Sequence, residues 1–218
     1  MRQLLRKLKF LMPLLPYAVI NRIKKSVYKK ELEEWKQKGC PVPPPHMVKQ
    51  LTIAGYQQQY GYDTLVETGT FMGEMVEAQK KNFKEIISIE IGDDLFEKAK
   101  QRFRQDKNIK LIHGDSGKML PQAVKTIAGP AIFWLDGHYS NGITAMGDTE
   151  CPIFEELDSI FSNNNQDHIL LIDDARCFTG QNDYPTVEKL SEYIKRKKPS
   201  YDVQVKDDII RCVPAKTA

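Results

Sequence analysis

The stretch Glu67-Thr-Gly-Thr-Phe-Met-Gly73 begins where a short apolar run, Thr64–Glu67, ends, and it leads into a segment of helical periodicity. Glycines in such a turn allow the backbone to approach a ligand closely as the chain enters a helix. The spacing G-x-x-x-G, with an acid two residues before it, differs from the dinucleotide-binding pattern G-x-G-x-x-G. The stretch therefore predicts a strand-to-helix turn, which is either a ligand-binding loop or an ordinary turn of an α/β protein.

Short apolar runs alternate with helical segments from Met47 onward. The strand candidates are Thr64–Glu67, Glu85–Ile91, Ile109–His113, Ala131–Asp136 and Ile169–Asp173. The helical segments include Phe71–Asn82, Asp94–Arg104, Gly117–Ile127 and Pro152–Phe161. This alternation predicts a parallel sheet covered by helices on both faces. Two further runs, Tyr201–Val205 and Ile209–Val213, are separated by only three residues, which predicts an antiparallel hairpin.

Polar residues lie at the ends of the second and third strand candidates, at the sheet edge where ligands bind in such folds. Glu90 lies about 20 residues after the glycine turn, where a carboxylate can accept hydrogen bonds from both hydroxyl groups of a ribose. The third run ends in His113-Gly-Asp115-Ser116, which places a polar side chain where the edge of a nucleoside base would lie. The alternatives are a solvated acid at Glu90 and a helix N-cap at Asp115 or Ser116.

Together these features resemble class I S-adenosylmethionine-dependent methyltransferases, and the resemblance covers residues 47–218. The matching features are the glycine turn, Glu90, the turn Gly114-Asp115-Ser116 and the terminal hairpin. The resemblance implies S-adenosylmethionine as the cofactor and an α/β, Rossmann-like, mostly parallel sheet of seven strands in the order 3-2-1-4-5-7-6. It also implies the residues that bind this cofactor, namely Glu67, Gly69, Thr70, Phe71, Gly73, Glu90, Asp115 and Ser116.

Carboxylates lie at the ends of the fourth and fifth strand candidates: Asp136 ends the fourth, and the pair Asp173-Asp174 stands at the end of the fifth. Neighbouring parallel strands would bring these three groups together at one edge of the sheet. A bound cation would offset the repulsion between their negative charges. A set of oxygen ligands suits Mg²⁺ or Mn²⁺ better than zinc. The alternative is a metal-free role for the pair, in which one acid caps the next element and the other orients a substrate.

The acidic strand ends are similar to those of metal-dependent O-methyltransferases of the macrocin O-methyltransferase type. That resemblance implies Asp136, Asp173 and Asp174 as metal ligands. It also implies His138 and Asp136 as catalytic residues, with His138 as the base. The sequence departs from the pattern, because Asp136-Gly-His138 lacks a residue that the group carries before the histidine. His138 is alternatively a loop histidine bonded to a carboxylate or the backbone, and the polar segment Ser140–Thr149 is a candidate lid or a surface loop.

Methyl transfer from a sulfonium is an in-line displacement, and a hydroxyl group attacks poorly until it loses its proton. A metal bound to the acceptor oxygen lowers the pKa of that hydroxyl group, and an imidazole can accept the proton. We therefore expect transfer to a hydroxyl group of a polar, small-molecule or glycan acceptor. The alternatives are a catalytically silent, nucleoside-binding scaffold and a Rossmann oxidoreductase, and the missing G-x-G-x-x-G pattern and the closing hairpin disfavour the latter.

The first 30 residues carry nine basic side chains and no acid, whereas the other 188 carry 23 basic and 29 acidic side chains. The apolar run Phe10–Ile20 is too short to span a bilayer, which takes about 20 apolar residues, and Pro13 and Pro16 interrupt it. We expect residues 1–30 to lie on an anionic membrane surface at the inner face of a membrane. The alternatives are packing on the chain's own domain or on a second subunit of a homo-oligomer, and a signal anchor.

The Pro-rich stretch Cys40–His46 predicts a boundary between an appendage, residues 1–46, and a methyltransferase-like domain, residues 47–218. The composition, 41% hydrophobic and 28% charged, is that of a globular protein. The acidic balance of the domain argues against nucleic acid as a partner. The cysteines form no C-x-x-C pair, which favours a reducing, cytoplasmic compartment over a disulfide framework or a zinc site: Cys40, Cys151, Cys177 and Cys212.

Overall fold

The structure is a computed structural model that describes residues 17–137, 151–163 and 166–215. The strands are β1 (Thr64–Thr68), β2 (Glu85–Glu90), β3 (Ile109–His113), β4 (Ala131–Leu135), β5 (Ile169–Ile172), β6 (Tyr201–Lys206) and β7 (Ile209–Pro214). The α-helices of the described part are α1 (Tyr17–Gln37), α2 (His46–Tyr60), α3 (Glu74–Gln79), α4 (Asp93–Arg102), α5 (Ser116–Lys125), α6 (Ile153–Asn163) and α7 (Val187–Lys197). A 3₁₀ turn, Ala175–Cys177, follows β5.

The seven strands form one sheet in the order β3-β2-β1-β4-β5-β7-β6. Strands β1 to β5 run parallel to one another, and β7 runs antiparallel between β5 and β6. This confirms the predicted α/β class, the strand order and the terminal hairpin. Because five strands are parallel, their carboxyl ends lie along one edge of the sheet, where the polar strand-end residues gather.

The sheet is buried on both faces, because alternate residues of a strand point to opposite sides. On one face, Phe133 and Leu135 of β4 pack with apolar side chains of α5, α6 and α7. On the other face, Ile132 and Trp134 pack with Ile53 and with apolar side chains of α3 and α4. This two-sided burial is why the strands read as continuous apolar runs.

The main difference from the predicted elements concerns the helix after the glycine turn. We predicted it over Phe71–Asn82, whereas α3 begins at Glu74 and ends at Gln79. The backbone φ angles of Phe71 and Gly73 are 48° and 70°, so neither residue can be helical. Three described helices, α1, α2 and α7, were not among those predicted. Helix α7 begins after Thr186, whose hydroxyl oxygen accepts a hydrogen bond from the Lys189 amide.

The chain divides into two compact units, residues 1–49 and 50–218. In the first unit, α1 begins directly after Pro16, and Trp35 Nε1 donates a hydrogen bond of 2.7 Å to the carbonyl oxygen of Pro41. Within the described residues, no helix has the length and apolar character needed to cross a bilayer. The domain boundary at residue 46 stays a prediction.

The exits of three central strands are tied together by backbone hydrogen bonds. The amides of Gly69 and Thr70 both donate to the carbonyl oxygen of Ile89, and the amide of Asp136 donates to the Thr68 carbonyl oxygen. Gly69 has a φ of 83°, and a Cβ atom at this position would lie 2.4 Å from the Asp136 carbonyl oxygen. Only glycine therefore allows β1 and β4 to leave the sheet this close together.

We predict that Gly69→Ala destabilises the domain more than Gly61→Ala does. Both glycines have positive φ angles, but a Cβ atom at Gly61 would meet nothing within 4 Å. Gly61→Ala should cost only the left-handed strain, about 1 kcal/mol, whereas Gly69→Ala adds a backbone clash and should cost about 3 kcal/mol or more in total. Urea unfolding measures both free energies, and equal losses would contradict the close approach.

Candidate active site

Glu90 connects the loops that follow β1 and β2. Its Oε2 atom accepts a 2.7 Å hydrogen bond from the amide of Phe71, and Oε1 accepts a 2.8 Å bond from the amide of Gly92. The side chain is buried at the end of β2. A carboxylate has about four acceptor positions, so these two bonds orient Glu90 and leave capacity for a ligand with two hydroxyl groups.

The Phe71 backbone is held in a left-handed conformation, with a φ of 48°. This region is unfavourable for a bulky aromatic residue and persists where surrounding contacts enforce it. The hydrogen bond to Glu90 is one such contact, and Arg102 Nη1 supplies another by donating to the carbonyl oxygen of Met72. The side chains of Phe71 and Met72 are exposed beside the turn.

A buried network lies beneath the glycine turn. Ser88 Oγ lies 2.5 Å from Glu67 Oε2 and 2.6 Å from Thr70 Oγ1, and either hydroxyl group can be the donor in the contact between Ser88 and Thr70. Burial raises the pKa of the Glu67 carboxyl group to about 8, the charge of Glu90 acts in the same direction, and the Ser88 bond opposes the rise. Burial thus favours the neutral form of Glu67, and the contacts among Glu67, Ser88 and Thr70 link β1, β2 and the glycine turn.

Two more of the predicted cofactor residues have clear local roles. Gly73 precedes α3 with a φ of 70°, and a Cβ atom there would lie 2.7 Å from the ring of Phe103. Asp115 is the N-cap of α5, because its Oδ1 atom accepts a 2.9 Å hydrogen bond from the Gly117 amide. The N-cap alternative is thus observed at Asp115, and Ser116 is buried in the first turn of α5.

The sequence reasoning missed three residues near these strand ends. Ser88 is a polar residue inside an apolar strand, and this interruption is a signal of a buried hydrogen bond. His113 stacks on Phe96 with ring centroids 4.6 Å apart, and its Nε2 atom lies 3.0 Å from Asp93 Oδ1. Glu156 is a buried acid on α6, at a position that the helical period assigns to the apolar face with Ile153, Leu157 and Ile160.

Glu156 lies close to Gly137, which follows the end of β4. A Cβ atom at Gly137 would lie 3.1 Å from Glu156 Oε1 and 3.0 Å from both Ser116 Oγ and Thr68 Oγ1. A side chain at this position would therefore force three buried polar groups apart. The glycine after Asp136 keeps α6, α5 and β1 in contact with the β4 exit.

Asp136, Asp173 and Asp174 form an acidic rim, in which one carboxylate oxygen from each lies within 4.8 Å of the others. Asp173 is fully buried, and the other two are half-buried. Ligand oxygens of an octahedral Mg²⁺ at 2.0–2.1 Å are about 3 to 4 Å apart, so small side-chain rotations would bring the rim to that geometry. The donor set therefore fits Mg²⁺ or Mn²⁺.

A cation of the protein already contacts this rim. Arg176 Nη1 donates a 2.7 Å hydrogen bond to Asp174 Oδ1 and also bonds to Asp208 Oδ2 in the turn between β6 and β7. Partial burial opposes protonation of Arg176, but the bonds to Asp174 and Asp208 prevail and raise the pKa of the guanidinium group. Neither Arg176 nor Asp208 was a candidate from sequence, because only the tertiary structure brings the hairpin to β5.

The predicted base, His138, and the candidate lid, residues 140–149, lie outside the described residues. The described structure thus places Glu67, Gly69, Thr70, Phe71 and Glu90 around the β1 and β2 exits, and the acidic rim around the β4 and β5 exits. The backbone contact between Gly69 and Asp136 joins the two groups.

No family model and no curated protein matches the sequence. The fold is similar to that of the O-methyltransferase TomG from Streptomyces achromogenes in complex with S-adenosylmethionine, at 12% identity and a TM-score of 0.58, over 87% of this chain and 89% of that one. It is similar to the methyltransferase PaMTH1 from Podospora anserina, bound to S-adenosylhomocysteine, at 16% identity and a TM-score of 0.56, over 93% of this chain and 98% of that one.

A third similar structure is an O-methyltransferase from Bacillus cereus in complex with S-adenosylhomocysteine, at 12% identity and a TM-score of 0.55, over 86% of this chain and 90% of that one. At these identities the similarity is one of fold. Strand order, the terminal hairpin and the shared architecture agree with the resemblance inferred from sequence. The chain therefore has the fold of the class I S-adenosylmethionine-dependent methyltransferases, with O-methyltransferases among its structural neighbours.

Proposed function

We propose that the chain is an S-adenosylmethionine-dependent methyltransferase that acts on a hydroxyl oxygen of a polar, small-molecule or glycan acceptor. The observation that carries this proposal is the geometry of Glu90. Its carboxylate is buried at the end of β2 and fixed by two backbone amides. It lies close to the glycine turn, in which only glycine fits at position 69. That arrangement suits a ribose with two hydroxyl donors.

The residues of the glycine turn would hold the rest of the cofactor. Bound S-adenosylmethionine supplies a methyl group on a positively charged sulfur, which a nucleophilic oxygen can take in one displacement. Gly69 allows close approach of the backbone, and the buried Glu67, Ser88 and Thr70 keep the turn in place. Asp115 and Ser116 lie at the β3 exit, where a base would be bound.

The acidic rim and His138 would serve the acceptor. A divalent cation, Mg²⁺ or Mn²⁺, bound by Asp136, Asp173 and Asp174 would lower the pKa of an acceptor hydroxyl group. The carboxylates of the rim orient that hydroxyl group, and His138 accepts its proton. The rim lies beside the glycine turn because Gly69 contacts the backbone of Asp136. This proximity supports direct transfer of the methyl group from the cofactor to an acceptor at the rim.

Residues 1–30 would attach the enzyme to an anionic membrane surface at its cytoplasmic face. Each Lys or Arg near such a surface contributes about 1 kcal/mol of attraction. The basic residues at 22, 24, 25, 29 and 30 belong to α1, which continues to Gln37. A homo-oligomer in which this segment contacts a second subunit is the competing arrangement.

One observation favours a second function, a catalytically silent protein that binds a nucleoside and acts as a scaffold at a membrane. Arg176 already supplies positive charge to the acidic rim through Asp174, so the rim can be partly balanced without a metal. The grouping of three carboxylates, with one oxygen of each within 4.8 Å of the others, supports the enzyme instead. Cofactor binding without any methyl transfer, with the rim intact, would identify the silent protein.

We predict that Glu90→Ala lowers the affinity for S-adenosylmethionine by more than tenfold, because hydrogen bonds to a charged group contribute about 1.5–3 kcal/mol each. Isothermal calorimetry measures this loss. The control is Glu85→Ala, at the opposite end of the same strand, which should bind the cofactor as the unaltered protein does. Unchanged binding by Glu90→Ala would refute the ribose assignment.

We predict that Asp136→Asn and Asp173→Asn abolish methyl transfer and leave the affinity for S-adenosylmethionine within a few-fold. His138→Ala should lower turnover by roughly 10²–10⁴ if it is the base. Asp202→Asn, on the edge strand β6, is the control and should keep full activity. Treatment with EDTA should stop the reaction and Mg²⁺ should restore it, whereas full activity in a preparation free of divalent metal would exclude the cation.

We predict that deletion of residues 1–30 releases the protein from vesicles that contain phosphatidylserine and leaves cofactor binding unchanged. Replacement of Lys24, Lys25, Lys29 and Lys30 by Gln should weaken sedimentation with these vesicles in proportion to the charge removed. Vesicles of phosphatidylcholine alone are the control and should retain neither protein. A truncated protein that still sediments with anionic vesicles would contradict the membrane role, and loss of cofactor binding or solubility would assign the segment to the domain or to a subunit interface.

A further inference from the structure

The turn between β6 and β7 contacts the segment that follows β5 through one side chain. Asp208 is 4% exposed, and its carbonyl oxygen accepts a 2.9 Å hydrogen bond from the amide of Ala175. Its Oδ1 atom accepts a 2.8 Å bond from the amide of Arg176, and Oδ2 accepts a bond from Arg176 Nη1. Asp208 thus fixes both the backbone and the side chain of this segment.

Arg176 extends this connection to the acidic rim. The same Nη1 atom that bonds to Asp208 donates to Asp174 Oδ1 at 2.7 Å. Asp208, Arg176 and Asp174 therefore form a continuous chain of charge-assisted hydrogen bonds from a hairpin turn to a rim carboxylate. Such bonds are shorter and more directional than those between neutral groups.

Asp174 needs an external constraint to keep its position. Its backbone lies in the left-handed region, with φ 53° and ψ 49°, and its amide donates a 2.8 Å hydrogen bond to Asp173 Oδ1. A non-glycine residue remains in this region only where the surrounding structure enforces it. The contacts of Asp208 with Ala175 and Arg176 act on the two residues that follow Asp174.

We propose that Asp208 and Arg176 are positioning residues, which hold the Asp174 carboxylate beside Asp136 and Asp173 so that the rim can bind a divalent cation. This inference rests on the proposed function of the rim. A simple counter-ion would act on the rim only through its charge. A positioning residue also acts through the location of its carboxylate, which here bonds to both the amide and the side chain of Arg176.

The same turn contains a matched control. Asp207 also has a positive φ, 54° against 62° for Asp208, and it is also paired with an arginine. That partner is Arg211 on β7, whose Nη2 atom lies 2.9 Å from Asp207 Oδ2, so this pair stays within the hairpin. Replacing each aspartate by glutamate keeps the charge, imposes similar backbone strain and moves the carboxylate by one methylene group.

The test measures Mn²⁺ binding to the full chain by electron paramagnetic resonance, with binding of S-adenosylhomocysteine by calorimetry as the check on folding. Asp208→Glu should weaken Mn²⁺ binding by about tenfold or more, since a tenfold change corresponds to the loss of one good charge-assisted hydrogen bond. The Mn²⁺ affinity of Asp207→Glu should remain within about twofold of that of the unaltered protein, because Asp207 pairs with Arg211 within the hairpin. Equal affinities for Asp208→Glu and the unaltered protein would overturn the proposal.

A second variant separates position from charge and carries the test if Asp208→Glu fails to fold. Asp208→Asn keeps the side-chain size but offers a single oxygen for the two donors of Arg176. Asp207→Asn is its control, because it removes the same charge from the same turn, where Asp207 pairs with Arg211 instead of Arg176. Asp208→Asn should lose about tenfold more Mn²⁺ affinity than Asp207→Asn, and equal losses in the two variants would overturn the positioning role.

The outcomes also distinguish this inference from the proposed function. An unaltered protein that binds S-adenosylhomocysteine but no Mn²⁺ would overturn the positioning role and leave the cofactor assignment intact. A protein that binds Mn²⁺ but no S-adenosylhomocysteine would refute the methyltransferase proposal, and the Asp208 comparison would still decide the positioning role.

Discussion

The close contact between Gly69 and the carbonyl group of Asp136 is the constraint on which the site depends. Because glycine has no Cβ atom, the exits of β1 and β4 meet at the edge of the sheet, and a larger residue would bring a carbon within 2.4 Å of that oxygen. The glycine turn lies on one side of this contact and the acidic rim on the other. Main-chain packing, rather than flexible side chains, therefore sets the separation of the glycine turn from the rim, and the proposed methyl transfer would require such close, fixed placement.

Negative charge is concentrated along this edge, and each acid is stabilised in a different way. Burial favours the neutral form of Glu67, and two backbone amides donate hydrogen bonds to Glu90. The single positive charge of Arg176 is shared between Asp174 and Asp208. A cluster of carboxyl groups favours cationic ligands, in keeping with the proposed sulfonium cofactor and metal ion.

The sequence predicted the parts of the structure that depend on local pattern. Buried strands produced apolar runs, and a three-residue connection required a hairpin, so the sheet was predictable. The start of α3 was not, because the left-handed backbone of Phe71 depends on a hydrogen bond to Glu90, 19 residues later in the chain. Asp208 was not predictable either, since only the antiparallel pairing of β5 with β7 brings its turn to Arg176.

We propose that the β1 and β2 exits bind S-adenosylmethionine beside a cation held by the acidic rim. A crystal structure of the protein with S-adenosylhomocysteine and Mn²⁺, recorded with anomalous diffraction from manganese, tests both parts together. We expect ribose hydroxyl groups on Glu90 and an anomalous peak between Asp136, Asp173 and Asp174. A ribose bound away from Glu90, together with a rim that contains no manganese at saturating concentration, would contradict it.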